Sequence, residues 1–182
     1  MNNNEFPYRA YAMEYGTFLG IAWTTVFLLY AIGFRTNSPM YFLLAFFGFI
    51  SLAFMPFIFA WRVRSLQNKN EGLGFFRACI FTLNLFMFAC LFSGACEYAY
   101  FAFFDNGALL DGFSKMVITE EMKNTYKQMG MIESYNQIKE TLNMAQRLTP
   151  FEKTEAMFNS NILISLLLLL PVSAIASLKR KA

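Results

Sequence analysis

The sequence contains no histidine, which removes the commonest general base and the usual ligand of zinc and haem. Cysteine is scarce as well. The three cysteines, Cys79, Cys90 and Cys96, lie in one apolar stretch, and none has the CxxC spacing of a metal site. An odd number of cysteines in such a stretch favours small apolar side chains over a disulfide framework. We therefore expect neither a metal site nor a cofactor.

Charged residues make up only 15% of the chain, and 57% of it is hydrophobic, whereas soluble domains are about 25% charged. Four apolar runs cover residues 15–34, 40–61, 75–104 and 162–178, and each is long enough for a helix to cross a bilayer, which takes roughly 20 residues; the uncharged centre of the third is 78–96. The first run is longer than the core of a signal peptide and ends without small residues, so we expect it to be retained. The sequence predicts one all-α domain with four transmembrane helices.

The distribution of Lys and Arg predicts the orientation of these helices. Arg62, Arg64 and Lys69 lie between the second and third runs, and Arg77 lies near the start of the third. Three more lie at 179–181, whereas the turn after the first run contains only Arg35. By the positive-inside rule, both termini are cytoplasmic in a bacterial inner membrane, and the segment 105–161 is extracytoplasmic. The four cations are also candidates for binding lipid headgroups, although the same rule already accounts for them.

The segment 105–161 is too long and too polar for a simple turn, and its pattern predicts helices. Thr119 is a candidate N-cap, and the apolar stripe that follows shifts near Gly130, which indicates a break there. Thr149 and Glu152 have capping-box spacing around Pro150, so we predict a helix that starts there and continues into the fourth span. The segment is then either a lid on the protein's own helices or a surface for a partner or for lipid.

Glu97 is the strongest functional candidate because an ionisable residue inside a span is costly. It shares one helical face with Cys90, Ser93 and Phe101. It could bind a proton, a cation or a cationic ligand. Alternatively, its carboxylate reaches the interface or is hydrogen-bonded to a neighbouring span.

Other polar and small residues are weaker candidates. Asp105 and Asp111 flank a predicted turn over 105–112 and could form an acidic mouth with Glu97, or could simply be turn residues. Asn84 lies within the third span and needs a hydrogen-bond partner, which predicts contact between helices. Gly16 and Gly20 form a GxxxG element that suits close packing, either within the chain or between two copies.

Several short motifs carry a resemblance to a known family. They are Gly-Phe-Phe-Arg at 74–77, the predicted turn at 105–112, Thr-Pro-Phe at 149–151 and the terminal run 162–181. With these motifs the chain resembles the DUF4199 family of uncharacterised membrane proteins, found mainly in Bacteroidetes. Pro171 stands where that resemblance leads us to expect a small residue. The resemblance implies a four-span inner-membrane protein, often encoded beside a polyprenyl-phosphate glycosyltransferase.

Three functional hypotheses follow. The first is a non-enzymatic accessory or scaffold subunit with a membrane-protein partner, such as that glycosyltransferase, or with further copies of itself. The second is a small ion or solute transport subunit that uses Glu97 and Asn84. The third is a membrane enzyme for a lipid-linked substrate, in which Glu97, Asp105 and Asp111 converge. We expect contact with membrane lipids under all three hypotheses, and we expect no nucleic-acid partner.

Overall fold

The computed structural model describes residues 7–67 and 73–178, and these residues form seven helices. The helices are α1 (Tyr8–Thr36), α2 (Pro39–Leu66), α3 (Phe75–Phe103), α4 (Ala108–Val117), α5 (Glu120–Gln128), α6 (Ile132–Arg147) and α7 (Pro150–Ser177). Helices α1, α2, α3 and α7 are long and apolar enough to cross a membrane, which confirms the four predicted spans. The chain is a multi-pass membrane protein. Lys69 and the cations at 179–181 lie outside the described residues.

Three of the four long helices extend beyond the apolar runs that predict them, and α3 matches its run to within one residue. Helix α1 begins at Tyr8 instead of residue 15, whereas α7 begins at Pro150 and continues through the fourth span, as the capping-box spacing of Thr149 and Glu152 predicts. A helix of 28 or 29 residues is about 42 Å long, whereas the hydrocarbon core of a bilayer is about 30 Å thick. The helices are therefore long enough to project about two turns beyond the hydrocarbon.

The long helices form a bundle in which α3 packs against α1 and α7, and α2 packs against the same two helices. Helix α3 is the most buried of the four and α2 the least: 44% and 11% of their most apolar stretches are buried. The central core contains Leu19, Val63, Phe81, Leu85, Ala89 and Val172. The contact between α2 and α7 is the least extensive of the four, so the bundle is loosest on that side.

The GxxxG glycines lie where α1 crosses α3. A Cβ atom at Gly16 would lie 2.5 Å from the carbonyl oxygen of Leu85, and one at Gly20 would lie 2.9 Å from that of Ala89. Only glycine allows the two backbones to approach so closely. Within the chain, therefore, these two glycines pack α1 against α3.

Helix α4 was not predicted from the sequence, which placed a turn over 105–112 and the first helix start of this segment at Thr119. The turn predicted over 105–112 is confined to Asn106 and Gly107, which both have positive φ, and the helix starts at Ala108. The prediction of a longer turn is wrong because the Asp105 carboxylate accepts the backbone N–H groups of Gly107 and Leu109. These bonds satisfy donors that a helix start leaves free, so the helix can form directly after the turn.

Helices α5 and α7 start at the capping residues that the sequence predicts, and the predicted break between α5 and α6 lies at Gly130. The Thr119 hydroxyl accepts the N–H of Met122 at the start of α5, and Gly130 separates α5 from α6 with a φ of 71°. The capping box of Thr149 and Glu152 is present at the start of α7. Helix α4 packs on α1, α6 packs on α4, and α5 packs on α6. All three lie at the end of the bundle where α1 ends and α7 begins, which we call the loop end.

Candidate ligand-binding site

Glu97 is buried inside the bundle, and only 2% of its surface is exposed. It lies on α3 on the face that also buries Cys90, Ser93 and Phe101, as the helical spacing predicts. The side chain of Asn161, on α7, donates a hydrogen bond to its carboxylate. The other oxygen, Oε2, has no hydrogen-bond partner among the described residues. A buried acceptor without a partner is unusual, because it loses its hydration and gains nothing in return.

The Glu97 carboxylate lines a cavity of about 520 Å³, within the range of small-molecule sites. Helix α1 contributes Trp23, Val26, Phe27, Tyr30 and Phe34; α2 contributes Phe49, Leu52, Ala53 and Pro56; α7 contributes Met157, Asn161, Ile164, Leu167 and Leu168; and α4 contributes Leu109. Apart from Glu97, Asn161 and the polar tips of Trp23 and Tyr30, the lining is apolar. The cavity therefore combines a large apolar surface with one carboxylate.

The cavity opens sideways between α2 and α7. The lining side chains of Phe49 and Leu167 are 55% and 79% exposed, and Ala53 and Ile164 are exposed beside them. All four belong to the two helices that make the least extensive contact in the bundle. At the loop end Leu109 of α4 closes the cavity. A molecule dissolved among the lipid tails could thus reach Glu97 without passing the loop end.

Asp105 does not line this cavity. Its carboxylate is instead held by hydrogen bonds from the start of α4 and by Lys153 of α7. It is 1% exposed, accepts the N–H groups of Gly107 and Leu109 and the hydroxyl of Tyr100, and lies 3.8 Å from the ammonium nitrogen of Lys153. Asp105 therefore fixes the start of α4 and ties it to α7.

Asp111 is an exposed residue of α4, and its Oδ1 accepts a hydrogen bond from Gln146 of α6 at 3.0 Å. This bond joins α4 to α6. Neither Asp105 nor Asp111 lines the cavity that contains Glu97. The structure thus gives the three carboxylates no common pocket.

Asn84 lies half-buried on α3, and its amide donates to the carbonyl of Ile80 in the same helix at 2.8 Å. Buried hydrogen bonds between α3 and α7 are made by other residues; for example, the hydroxyl of Ser173 on α7 donates to that of Thr82 on α3 at 3.0 Å. In the sequence, nothing distinguishes Thr82 and Ser173 from the Ser and Thr residues whose hydroxyls bond their own helix, such as Thr17.

The cations proposed for lipid headgroups lie at the end of the bundle opposite the loop end. Arg62 and Arg77 are exposed, and the guanidinium of Arg64 lies 5.0 Å from the centre of the Trp61 ring. At the same end the buried amide of Gln67, which the sequence analysis did not single out, donates to the carbonyl of Ala176. Its oxygen accepts the N–H of Leu73, so it holds the connection between α2 and α3 against α7.

One family model matches this chain. It is the model of the DUF4199 family, described as a protein of unknown function, and it covers residues 14–177. That range includes Glu97, every side chain lining the cavity and helices α4 to α6. No curated protein and no solved structure matches the chain.

Proposed function

This chain belongs to the DUF4199 family, and we propose that it is a non-enzymatic membrane protein that binds a lipophilic ligand in the cavity around Glu97. The observation that carries the proposal is the unpartnered Oε2 atom of a buried carboxylate in an otherwise apolar cavity. An ionised carboxylate left unpaired in such surroundings costs several kcal/mol, so the empty site is unfavourable unless a proton neutralises it. A ligand that supplies a hydrogen-bond donor or a positive charge would remove this cost.

Binding is better supported than catalysis. The enzyme hypothesis requires Glu97, Asp105 and Asp111 to act on one substrate, yet Asp105 is held by α4 and Lys153, and Asp111 is bonded to Gln146. One carboxylate with an amide beside it can hold and orient a ligand. Chemistry by paired carboxylates needs the second carboxylate within reach of the same substrate, and neither Asp105 nor Asp111 lines the cavity.

The test is to purify the protein from its native membrane in mild detergent and to identify the small molecules that native mass spectrometry releases from it. We expect the wild type to carry a lipophilic molecule and Glu97→Gln to lose it. The matched control is Asp111→Asn, which neutralises an exposed carboxylate outside the cavity and should retain the ligand. If wild type and Glu97→Gln carry the same molecules, or if neither carries any, the proposal is wrong.

A second variant distinguishes loss of the ligand by a blocked cavity from loss of the ligand by misfolding. Ala53→Trp places a large side chain at the rim of the cavity, at an exposed position of α2. Because the rim faces outward, the bundle should keep its wild-type melting temperature while the cavity is blocked. Loss of the ligand in this variant would identify the cavity as the binding site independently of Glu97.

One observation also favours a role as an accessory subunit. The α5–α6 hairpin reaches the bundle mainly through α4, and it exposes Met129, Met131 and Met144. Exposed methionines suit an adaptable docking surface, and we propose a membrane-protein partner there, with the glycosyltransferase implied by the family resemblance as the first candidate. We expect one protein to co-purify with the wild type in stoichiometric amount and to be lost from the double variant Met129→Glu/Met131→Glu. Equal recovery of that protein with the wild type and with the variant would refute the accessory role of this surface.

We further propose that the protein lies in a bacterial inner membrane with both termini in the cytoplasm. The support is the placement of Arg62, Arg64 and Arg77 at one end of the bundle, opposite the loop end. In a variant without native cysteines, Met129→Cys should react with an impermeant maleimide on intact spheroplasts, whereas Arg62→Cys should react only after lysis. The reverse pattern would invert the orientation.

A further inference from the structure

We infer that the ligand of the Glu97 cavity is a lipophilic organic cation that enters from the lipid between α2 and α7. This inference rests on the proposed binding function and names the chemical class of the ligand. It depends on three features of the cavity: the missing counter-ion of Glu97, the aromatic side chains beside it, and the exposed rim.

The protein itself provides no cation to Glu97 within the described residues. The lining side chains include no Lys or Arg. Lys153 lies in the first turn of α7, and its ammonium nitrogen is 3.8 Å from the Asp105 carboxylate and 5.9 Å from the centre of the Phe101 ring. Its charge is therefore placed against Asp105. Asn161 donates to the carboxylate, but Oε2 stays without a donor. The described residues therefore supply no charge that complements an ionised Glu97, and a bound cation would supply one.

The lining suits an organic cation better than a metal ion. Metal ions such as Na⁺ or Ca²⁺ need several oxygen ligands, and the carboxylate and amide of Glu97 and Asn161 supply few. Among the described residues, no group of three or more acidic or cysteine side chains could hold a metal ion. Trp23, Phe27 and Tyr30 line the same cavity, and aromatic rings attract organic cations through their negative faces.

The rim indicates the route of entry. Phe49 and Ala53 on α2 and Ile164 and Leu167 on α7 are exposed along the apolar stretches of both helices, and they also line the cavity. A cation whose charge is shielded by apolar groups dissolves in the bilayer and can pass between these side chains. A small hydrated ion could not follow this path, because it would lose its hydration to apolar surface.

The inference can be tested with two ions of the same size and shape and opposite charge, tetraphenylphosphonium and tetraphenylborate. Binding of each to the purified protein is measured by equilibrium dialysis, with protein-free micelles as the blank. We expect the wild type to bind the phosphonium at least about tenfold more tightly than the borate. Glu97→Gln should lose this preference, Glu97→Asp should keep part of it, and Asp111→Asn should match the wild type. Ala53→Trp should weaken phosphonium binding because it narrows the rim.

The outcomes separate this inference from the proposed function. If both ions bind equally and Ala53→Trp blocks both, the cavity binds lipophilic molecules, but the selection of cations is refuted. If neither ion binds while a native molecule is retained in a Glu97-dependent way, the cation class is wrong and the binding function stands. If phosphonium binds equally to the wild type and to a folded Glu97→Gln, judged by an unchanged melting temperature, Glu97 is not the anchor and the inference is overturned.

Discussion

Replacing Gly16 by alanine tests how closely α1 and α3 approach. A Cβ atom at this position would lie 2.5 Å from the carbonyl oxygen of Leu85 and 2.8 Å from the Cβ of Phe88. Neither atom can move by rotation of a side chain, because one is backbone and the other is attached directly to it. Ordinary contact requires about 3.5 Å, so α1 would have to move away from α3 by roughly 1 Å.

The expected cost follows from two opposing effects. Overpacking of a well-packed interface lowers the free energy of unfolding by about 1–3 kcal/mol. Replacing glycine by alanine inside a helix raises it by up to about 1 kcal/mol, because alanine has the higher helix propensity. We therefore expect Gly16→Ala to lower the free energy of unfolding by roughly 1–2 kcal/mol. Reversible unfolding in mixed micelles with increasing SDS, followed by the fluorescence of Trp23 and Trp61, would measure the change.

Gly94→Ala is the matched control, since it makes the same substitution inside α3. Its Cβ would meet only the ring of Phe158, at 3.0 Å, and that ring can shift. We expect Gly94→Ala to be close to the wild type or slightly more stable. If Gly16→Ala proves as stable as Gly94→Ala, the close approach of α1 and α3 is refuted. If instead it changes the oligomeric state in light scattering without loss of stability, the glycines serve contact between two copies.

Three further predictions concern the polar contacts. Thr149→Ala removes the hydroxyl that caps α7 and should cost about 1 kcal/mol, seen as faster hydrogen exchange in its first turn; unchanged exchange would contradict the capping box. Asp105→Ala leaves Lys153 without its partner and the start of α4 without its cap, so we expect a loss of about 3 kcal/mol or more in unfolding free energy and exposure of α4 amides to exchange. A double-mutant cycle with Thr82→Val and Ser173→Ala should give a coupling of about 0.6 kcal/mol, and a coupling of zero would mean that the bond between α3 and α7 is not made.

The spans could be predicted from the sequence because their signal is local. An apolar run of sufficient length forms a helix in lipid whatever its neighbours are. The capping residues Thr119 and Thr149 are also local, since each hydroxyl bonds an N–H three residues ahead. The start of α4 was missed although its cap is local, because Asp105 and Gly107 are as typical of a turn as of a helix start.

The sequence predicted only one part of the candidate site, the carboxylate of Glu97. Glu97 stands out because a carboxylate within an apolar run is rare. Its partner Asn161 lies on another helix, at the boundary between polar residues and an apolar run, where an amide is ordinary. The cavity itself depends on how far apart α2 and α7 lie, and this distance is set by packing across the whole bundle.

The residues at the helix contacts explain why the cavity lies where it does. Small residues, Gly16 and Gly20 among them, close the contact between α1 and α3. Helices α2 and α7 meet closely only toward the end opposite the loop end, where Ala60 and Val172 are fully buried. Nearer the loop end, their side chains Phe49 and Leu167 point outward and leave the space that Glu97 faces. The carboxylate thus lies inside a cavity whose rim faces the lipid, so a molecule arriving from the lipid would pass between Phe49 and Leu167 to reach it.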